Sequence, residues 1–261
     1  MNKQKILFVG YGNMALAIIQ GFIHSNLYKL YNIEVCGRNT KCALEFISAN
    51  NLNNFVTIYN ANNMLDIENK IVFLCIKPNG LSSFVFNGQA RGVVSVMAGV
   101  KISVLRENIR SYGYARVMPN TAAKYQKSSS AMYIEDLDIE VYKNMIESFG
   151  RVVLVDREDL IDASIATSGS APAFVAMMAQ ALMDSGVREG LGCVQSQELV
   201  RGMFEGFALL LRDKKPQEII DEVASPAGTT IEGLSVLESK AFKGIVMEAS
   251  HKAVMKAKGK G

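Results

Sequence analysis

"KILFVGYGNMALAIIQGFIHSNLY", Lys5 to Tyr28, passes from a continuous apolar run into apolar residues at helical spacing, with two glycines at the joint. The first part predicts a buried strand and the part from Asn13 onward a helix. "IEVCGR", residues 33–38, predicts a second strand, so the three pieces make one β-α-β unit. Lys3 and Lys5 ahead of an apolar run also imitate a secretory leader. Here Gly10, Gly12 and Asn13 interrupt the run and it continues as an amphipathic pattern, so export is not expected and a cytoplasmic location is.

At the joint, "GYGNMA" puts Gly10, Gly12 and Ala15 in the G-x-G-x-x-A form of the dinucleotide fingerprint. The first glycine permits a tight turn and the second a close approach of backbone to pyrophosphate. A small third residue lets helix and strand pack while the helix N-terminus faces the phosphates. A merely structural turn has the same glycines; the strand-to-helix position favours a cofactor. At the end of the second strand, "CGRNT" has Arg38 and Asn39 where NAD-preferring sites carry a carboxylate. Arginine there favours a 2′-phosphate, which predicts NADPH with NADH possible; a solvated strand-end arginine would look identical.

Outward from this unit the alternation continues through "FVTIY", "KIVFLCIKP", "GVVSVMAGV", "YARVMPN" and "SAMYI" to "RVVLVD", with helical patterns such as "ISVLRENI" and "LDIEVYKNMIESFG" between. Apolar strands alternating with helices predict an α/β fold with a mostly parallel sheet covered on both faces. "CIKPNG" and "MPN" follow strands at their carboxyl ends, where open sheets bind ligands. After Asp156 only helical periodicity remains, so a Rossmann-type domain over residues 1–157 and an all-α domain over 158–261 are expected.

The 261 residues, 49% hydrophobic, can bury a sizeable core. A net charge of +3, with basic residues clustered only in "KAKGKG" at 256–261, gives no reason to expect a nucleic-acid partner. No later stretch spans a membrane's length without a charge or turn signal, so no membrane partner is expected. Four cysteines without a CxxC pair and two distant histidines predict free thiols and no metal.

The first long helix of the second half holds no Lys, His or Arg between Asp162 and Gly186, so reduction of a ketone lacks a proton donor. A C=N bond can arrive already protonated, and its reduction then needs positioning more than acid catalysis. In "SPAGTTIEGL", Ser225 to Leu234, Pro226 is expected to end a helix, Gly228 to allow a reversal, and Thr229 or Thr230 to cap a new helix. The free N–H groups of that helix suit a small carboxylate. A plain helix–helix corner fits the same residues.

Taken together, "VGYGNMALAII", "FLCIKP", "VVSVMAGV", "RVMPNTAAKYQKSSSAMY", "DASIATSGSAPAFV" and above all "SPAGTTIEGLSVLE" resemble the pyrroline-5-carboxylate reductase family over nearly the whole chain. The resemblance implies hydride transfer from NADPH to the C=N bond of 1-pyrroline-5-carboxylate, giving proline. It implies pyrophosphate contacts at Gly12, Asn13 and Met14, a 2′-phosphate site at Arg38 and Asn39, and an adenosine contact at Asn62. Ile76, Lys77, Pro78, Ala98 and Asn120 would line the nicotinamide side. The substrate carboxylate would lie on the amides of Gly228, Thr229 and Thr230, with Thr230 bonded to the ring nitrogen as the catalytic contact. It further implies a homodimer, or a higher homo-oligomer of dimers, built on interleaved helical domains whose loops complete the partner's site.

Two positions depart from the family pattern: Ala227 and Ala171 stand where glycine is commoner. An alanine at positive φ would be strained, so an ordinary backbone conformation is expected at 227. The same departures are the only support for an alternative, an inactive NADPH-binding paralogue acting as a sensor or assembly partner.

Overall fold

The computed structural model describes residues 3–59 and 64–259, so Asn62 lies outside the described residues. Two compact units emerge, Met1–Ser170 with Ala253–Gly261, and Ala171–Lys252. Through the first unit run β1 (Gln4–Val9), α1 (Asn13–His24), β2 (Tyr31–Cys36), α2 (Thr40–Ala49), β3 (Val56–Ile58), β4 (Leu65–Asp66) and β5 (Ile71–Leu74). Then come β6 (Phe86–Asn87), β7 (Gly92–Ser95), α3 (Ile102–Asn108), β8 (Tyr114–Met118), β9 (Ser128–Glu135), α4 (Ile139–Glu147), β10 (Gly150–Leu154) and α5 (Asp159–Ala163).

Eight strands form one sheet in the order β10-β9-β8-β7-β5-β1-β2-β3. Every pair is parallel except β8 with β9, where Arg116 faces Tyr133. The mostly parallel sheet expected from the apolar runs is therefore present. β4 and β6 pair separately as a two-residue ribbon that no periodicity announced.

Continuous apolar runs became central strands because both sheet faces are covered. All four residues of β5 are buried, as are Ile6 to Val9 of β1. Phe8 stacks on Phe73 at 4.9 Å between ring centres, and Phe22 of α1 meets Phe73 edge-on at 5.6 Å. Ile18, Ile19 and Phe22 are fully buried, each contributing about 1.5–3 kcal/mol through burial. Chain order reverses between β1 and β5, with β2 on one side of β1 and β5 on the other, so a crevice opens above their carboxyl ends.

The second unit holds α6 (Ala171–Arg188), α7 (Cys193–Asp213), α8 (Pro216–Val223), α9 (Thr229–Ser239) and most of α10 (Phe242–Ala257), whose last turns belong to the first unit. Ala171 starts α6 as an ordinary helical residue. α6 and α7 cross closely where a Cβ on Gly186 would lie 2.3 Å from Ser196 Oγ, and that hydroxyl donates to the Met183 carbonyl at 2.7 Å. The pattern that reads as one helix from Ile231 to Ala257 is broken at Lys240 and Ala241, the latter at φ 53°. This unit leaves large apolar side chains in the open, Met177 at 76% and Met247 at 72% exposure among them.

Candidate functional site

The fingerprint turn does what its residue types require. Gly10 has φ 108° and a Cβ there would sit 2.5 Å from the Cys75 carbonyl oxygen, so shape and space both demand glycine. Its N–H donates to the Cys36 carbonyl at 2.8 Å, tying the turn to the end of β2. Gly12 is the N-cap of α1, and a Cβ on it would meet nothing within 4 Å. That open face lies beside the exposed Gly12 and Asn13, where the first N–H groups of a twelve-residue helix have no intrahelical acceptor. The first turn carries no acidic side chain, so the helix dipole there is uncompensated and suits phosphate.

Two cavities open from this turn. One of about 400 Å³ is lined by Tyr11, Gly12, Gly37, Arg38, Lys77 and Phe84, among others, and among the described residues it has two cations and no carboxylate. The Tyr11 ring packs where a Cβ on Gly37 would be, only 2.1 Å from it, so Gly37 makes room for the ring. The other, about 510 Å³, is lined by Gly12, Asn13, Met14, Pro78, Ala98 and Pro119, with Ile76 and Lys77 reaching both. Of the residues expected at the dinucleotide, Gly10, Gly12, Asn13, Met14, Arg38, Ile76, Lys77, Pro78 and Ala98 thus line one or both cavities.

Two amides stand differently. Asn39 caps α2, its Oδ1 accepting the Cys42 N–H at 3.2 Å. Asn120 uses both ends of its side chain within the protein: Oδ1 accepts from the Ala122 N–H and Nδ2 donates to Ser168 Oγ, each at 3.0 Å. Neither lines the two cavities. Burial pushes the Cys75 thiol, beneath the turn, up to about 12, which favours the protonated thiol.

In the helical unit the break between α8 and α9 is a turn. The Gly228 N–H donates to the Ser225 carbonyl at 3.0 Å, Pro226 stands second and Ala227 third at φ 57°. The expectation of an ordinary backbone at 227 is therefore wrong. A proline turn whose third residue has positive φ is the kind that usually carries glycine at that position. The reversal is not made by Gly228 either, which is extended at φ −82°; a Cβ there would lie 2.4 Å from Ser225 Oγ, so that hydroxyl would have to move. Nor does a threonine cap the new helix. Gly228 is the N-cap, and Thr229 and Thr230 are the first two helical residues, which leaves their hydroxyls and N–H groups at the open helix end.

One cluster escaped the sequence reading. Arg116 of β8, 1% exposed, holds Asp162 at 2.8 Å and Glu158 at 3.2 Å, partners 46 and 42 residues away. Only the carboxylates' i, i+4 spacing at α5 was visible beforehand, and it had no partner in sequence.

The chain is 44% identical over 252 residues to a pyrroline-5-carboxylate reductase of Helicobacter pylori, covering 95% of this chain and 97% of that one. It belongs to the pyrroline-5-carboxylate reductase family. The family model described as pyrroline-5-carboxylate reductase dimerisation matches residues 158–260, and one described as NADP oxidoreductase, coenzyme F420-dependent, matches residues 5–99. Among solved structures, the 1-pyrroline-5-carboxylate reductase of Streptococcus pyogenes is similar with a TM-score of 0.85 at 26% identity, over 99% of this chain and 100% of that one. A Plasmodium falciparum pyrroline carboxylate reductase solved with NADP bound shares the fold, with a TM-score of 0.78 at 24% identity over 100% and 99% of the two chains. The two-domain fold of the pyrroline-5-carboxylate reductases, a Rossmann-type domain followed by a helical dimerisation domain, is thus the fold of this chain.

Proposed function

We propose that the chain reduces 1-pyrroline-5-carboxylate to proline with hydride from NADPH, the last step of proline synthesis. The observation that carries this reading is that a chain of this family has both a dinucleotide crevice and, separately, the Ser225–Gly228 turn at an open helix N-terminus. NADPH would lay its pyrophosphate on the amides of Gly12, Asn13 and Met14, with its adenosine half in the cavity that holds Arg38. Arg38 and Lys77, with no carboxylate beside them among the described residues, favour a 2′-phosphate there. The nicotinamide would occupy the second cavity, between Met14, Pro78 and Ala98. Asn120, held at both ends, serves as the brace of the "MPN" turn rather than as a direct contact.

The substrate carboxylate would lie on the N–H groups at the start of α9, with Thr230 donating or accepting at the ring nitrogen. Because the imine nitrogen can carry its own proton, these residues need only fix the ring against the nicotinamide for hydride to reach the carbon. Residues from 158 onward act in this reading as the substrate-binding and dimerisation domain. A groove of about 690 Å³ lined by Phe174, Met178, Met203, Phe207, Phe242 and Val246 offers almost no polar group to orient a metabolite. A second copy of the chain suits it, giving a homodimer in the cytoplasm. Residues 159–188 also have the length and mean hydropathy of a membrane span, but Thr167–Ser170 interrupt the helix and Asp184 lies within it, which fits a subunit interface better.

The test follows the near-ultraviolet absorbance of the reduced nicotinamide with purified protein, NADPH or NADH, and three substrates: the five-membered imine acid, its ring-expanded analogue and a keto acid. Consumption is expected with the five-membered imine and faster with NADPH. Binding of NADPH without consumption would favour the inactive paralogue. The intact turn at Ser225–Gly228 speaks against that outcome.

A further inference from the structure

The loop between β7 and α3 walls the nicotinamide-side cavity with Met97 and Ala98. At its start the Met97 N–H donates to Ser95 Oγ at 3.3 Å, and beyond it two carboxylates hold the backbone. The Gly99 N–H donates to Asp162 Oδ1 at 3.0 Å and the Ile102 N–H to Glu158 Oε1 at 2.6 Å. These carboxylates, one helical turn apart, are both gripped by the buried Arg116 guanidinium. The Ala257 carbonyl presses from another side, since a Cβ on Gly99, at φ 73°, would lie 2.2 Å from it.

We infer that Arg116, Glu158 and Asp162 are positioning residues for the cofactor, fixing the Met97–Gly99 loop so that its backbone forms a rigid wall for the nicotinamide. The inference rests on the reading that the second cavity takes the nicotinamide half. A buried ion pair is a costly way to gain stability, because an apolar pair of similar volume is often as stable. What an apolar pair lacks is an acceptor for the Gly99 N–H. The carboxylates have that acceptor, and the arginine keeps them aimed. Arg116 touches neither cavity itself and acts only through the carboxylates and the loop.

The experiment compares the full-length parent with Asp162→Asn, which keeps an oxygen for the Gly99 N–H, and with the double variant Arg116→Met and Asp162→Leu. Dissociation constants are measured for NADPH and for adenosine 2′,5′-bisphosphate, which reports the adenosine half alone, alongside imine turnover. In the double variant the NADPH constant is expected to rise about tenfold or more and turnover to fall by a similar factor, with the bisphosphate constant within about twofold of the parent. Asp162→Asn should fall between the two. Unchanged NADPH affinity and turnover in a folded double variant overturns the inference, as does an equal loss for both ligands, which general loosening would give. If neither variant folds, amide hydrogen exchange in the parent decides: a protected Gly99 amide without cofactor supports the latch, and exchange at the rate of an open loop overturns it. A parent that binds NADPH but leaves the imine intact overturns the functional reading alone, and one that binds no NADPH overturns both.

Discussion

Ala227 carries a backbone shape that an L side chain adopts at a cost of about 1–2 kcal/mol. Replacing it by glycine removes that strain but gives the unfolded chain about 0.4–1 kcal/mol of extra entropy, so Ala227→Gly should stabilise the protein slightly, by about 0.5 kcal/mol. Thermal unfolding of the pair of proteins checks this, and a loss of stability would mean that the turn relaxes in solution. Thr230 sits in the second position of α9 with its hydroxyl uncommitted to a cap. Thr230→Ala should lower turnover by about tenfold to a hundredfold while leaving NADPH affinity unchanged, read by steady-state kinetics beside a binding titration. At single positions the sequence was legible where one residue type has one use, as at Gly10. Position 227 was not legible, because a proline turn can close with either sign of φ at its third residue and propensity argues against the one that Ala227 adopts.

At the scale of elements, the continuous apolar strands could be read directly because burial on two faces leaves no polar alternation to obscure them. The ribbon of β4 and β6, two residues each, is too short for any period to show. The Arg116 network was hidden for another reason: its members come from β8 and α5, and nothing local joins them. Where β2 hands over to α2, two roles meet in neighbouring residues. Asn39→Ala should cost about 1 kcal/mol through the lost cap, with little change in cofactor choice. Arg38→Ser, by contrast, should leave stability unchanged and shrink the ratio of NADPH to NADH efficiency about tenfold, measured as kcat/KM for each.

For the whole molecule, burial pushes the thiols of Cys36 and Cys75 up to about 12 from an ordinary value near 9. Between those values the native protein keeps protons that the unfolded chain releases. Stability is therefore complete below pH about 9 and declines as pH rises above it, by up to about 1.4 kcal/mol per pH unit for each thiol. Denaturant midpoints at pH about 8 and about 10 measure the decline, and a double Cys→Ala variant should flatten it. The exposed apolar faces of α6, α7 and α10 predict a dimer, visible as a sedimentation coefficient that holds on dilution into the micromolar range. The close approach of the Ala257 carbonyl to Gly99 also sets an order of events during synthesis. On the ribosome the sheet and its glycine turn can form early, but the loop that walls the second cavity lacks its last support until α10 has emerged behind the whole helical unit. A nascent chain stalled before that helix would hold the adenosine end of the dinucleotide and leave the reactive ring loosely seated.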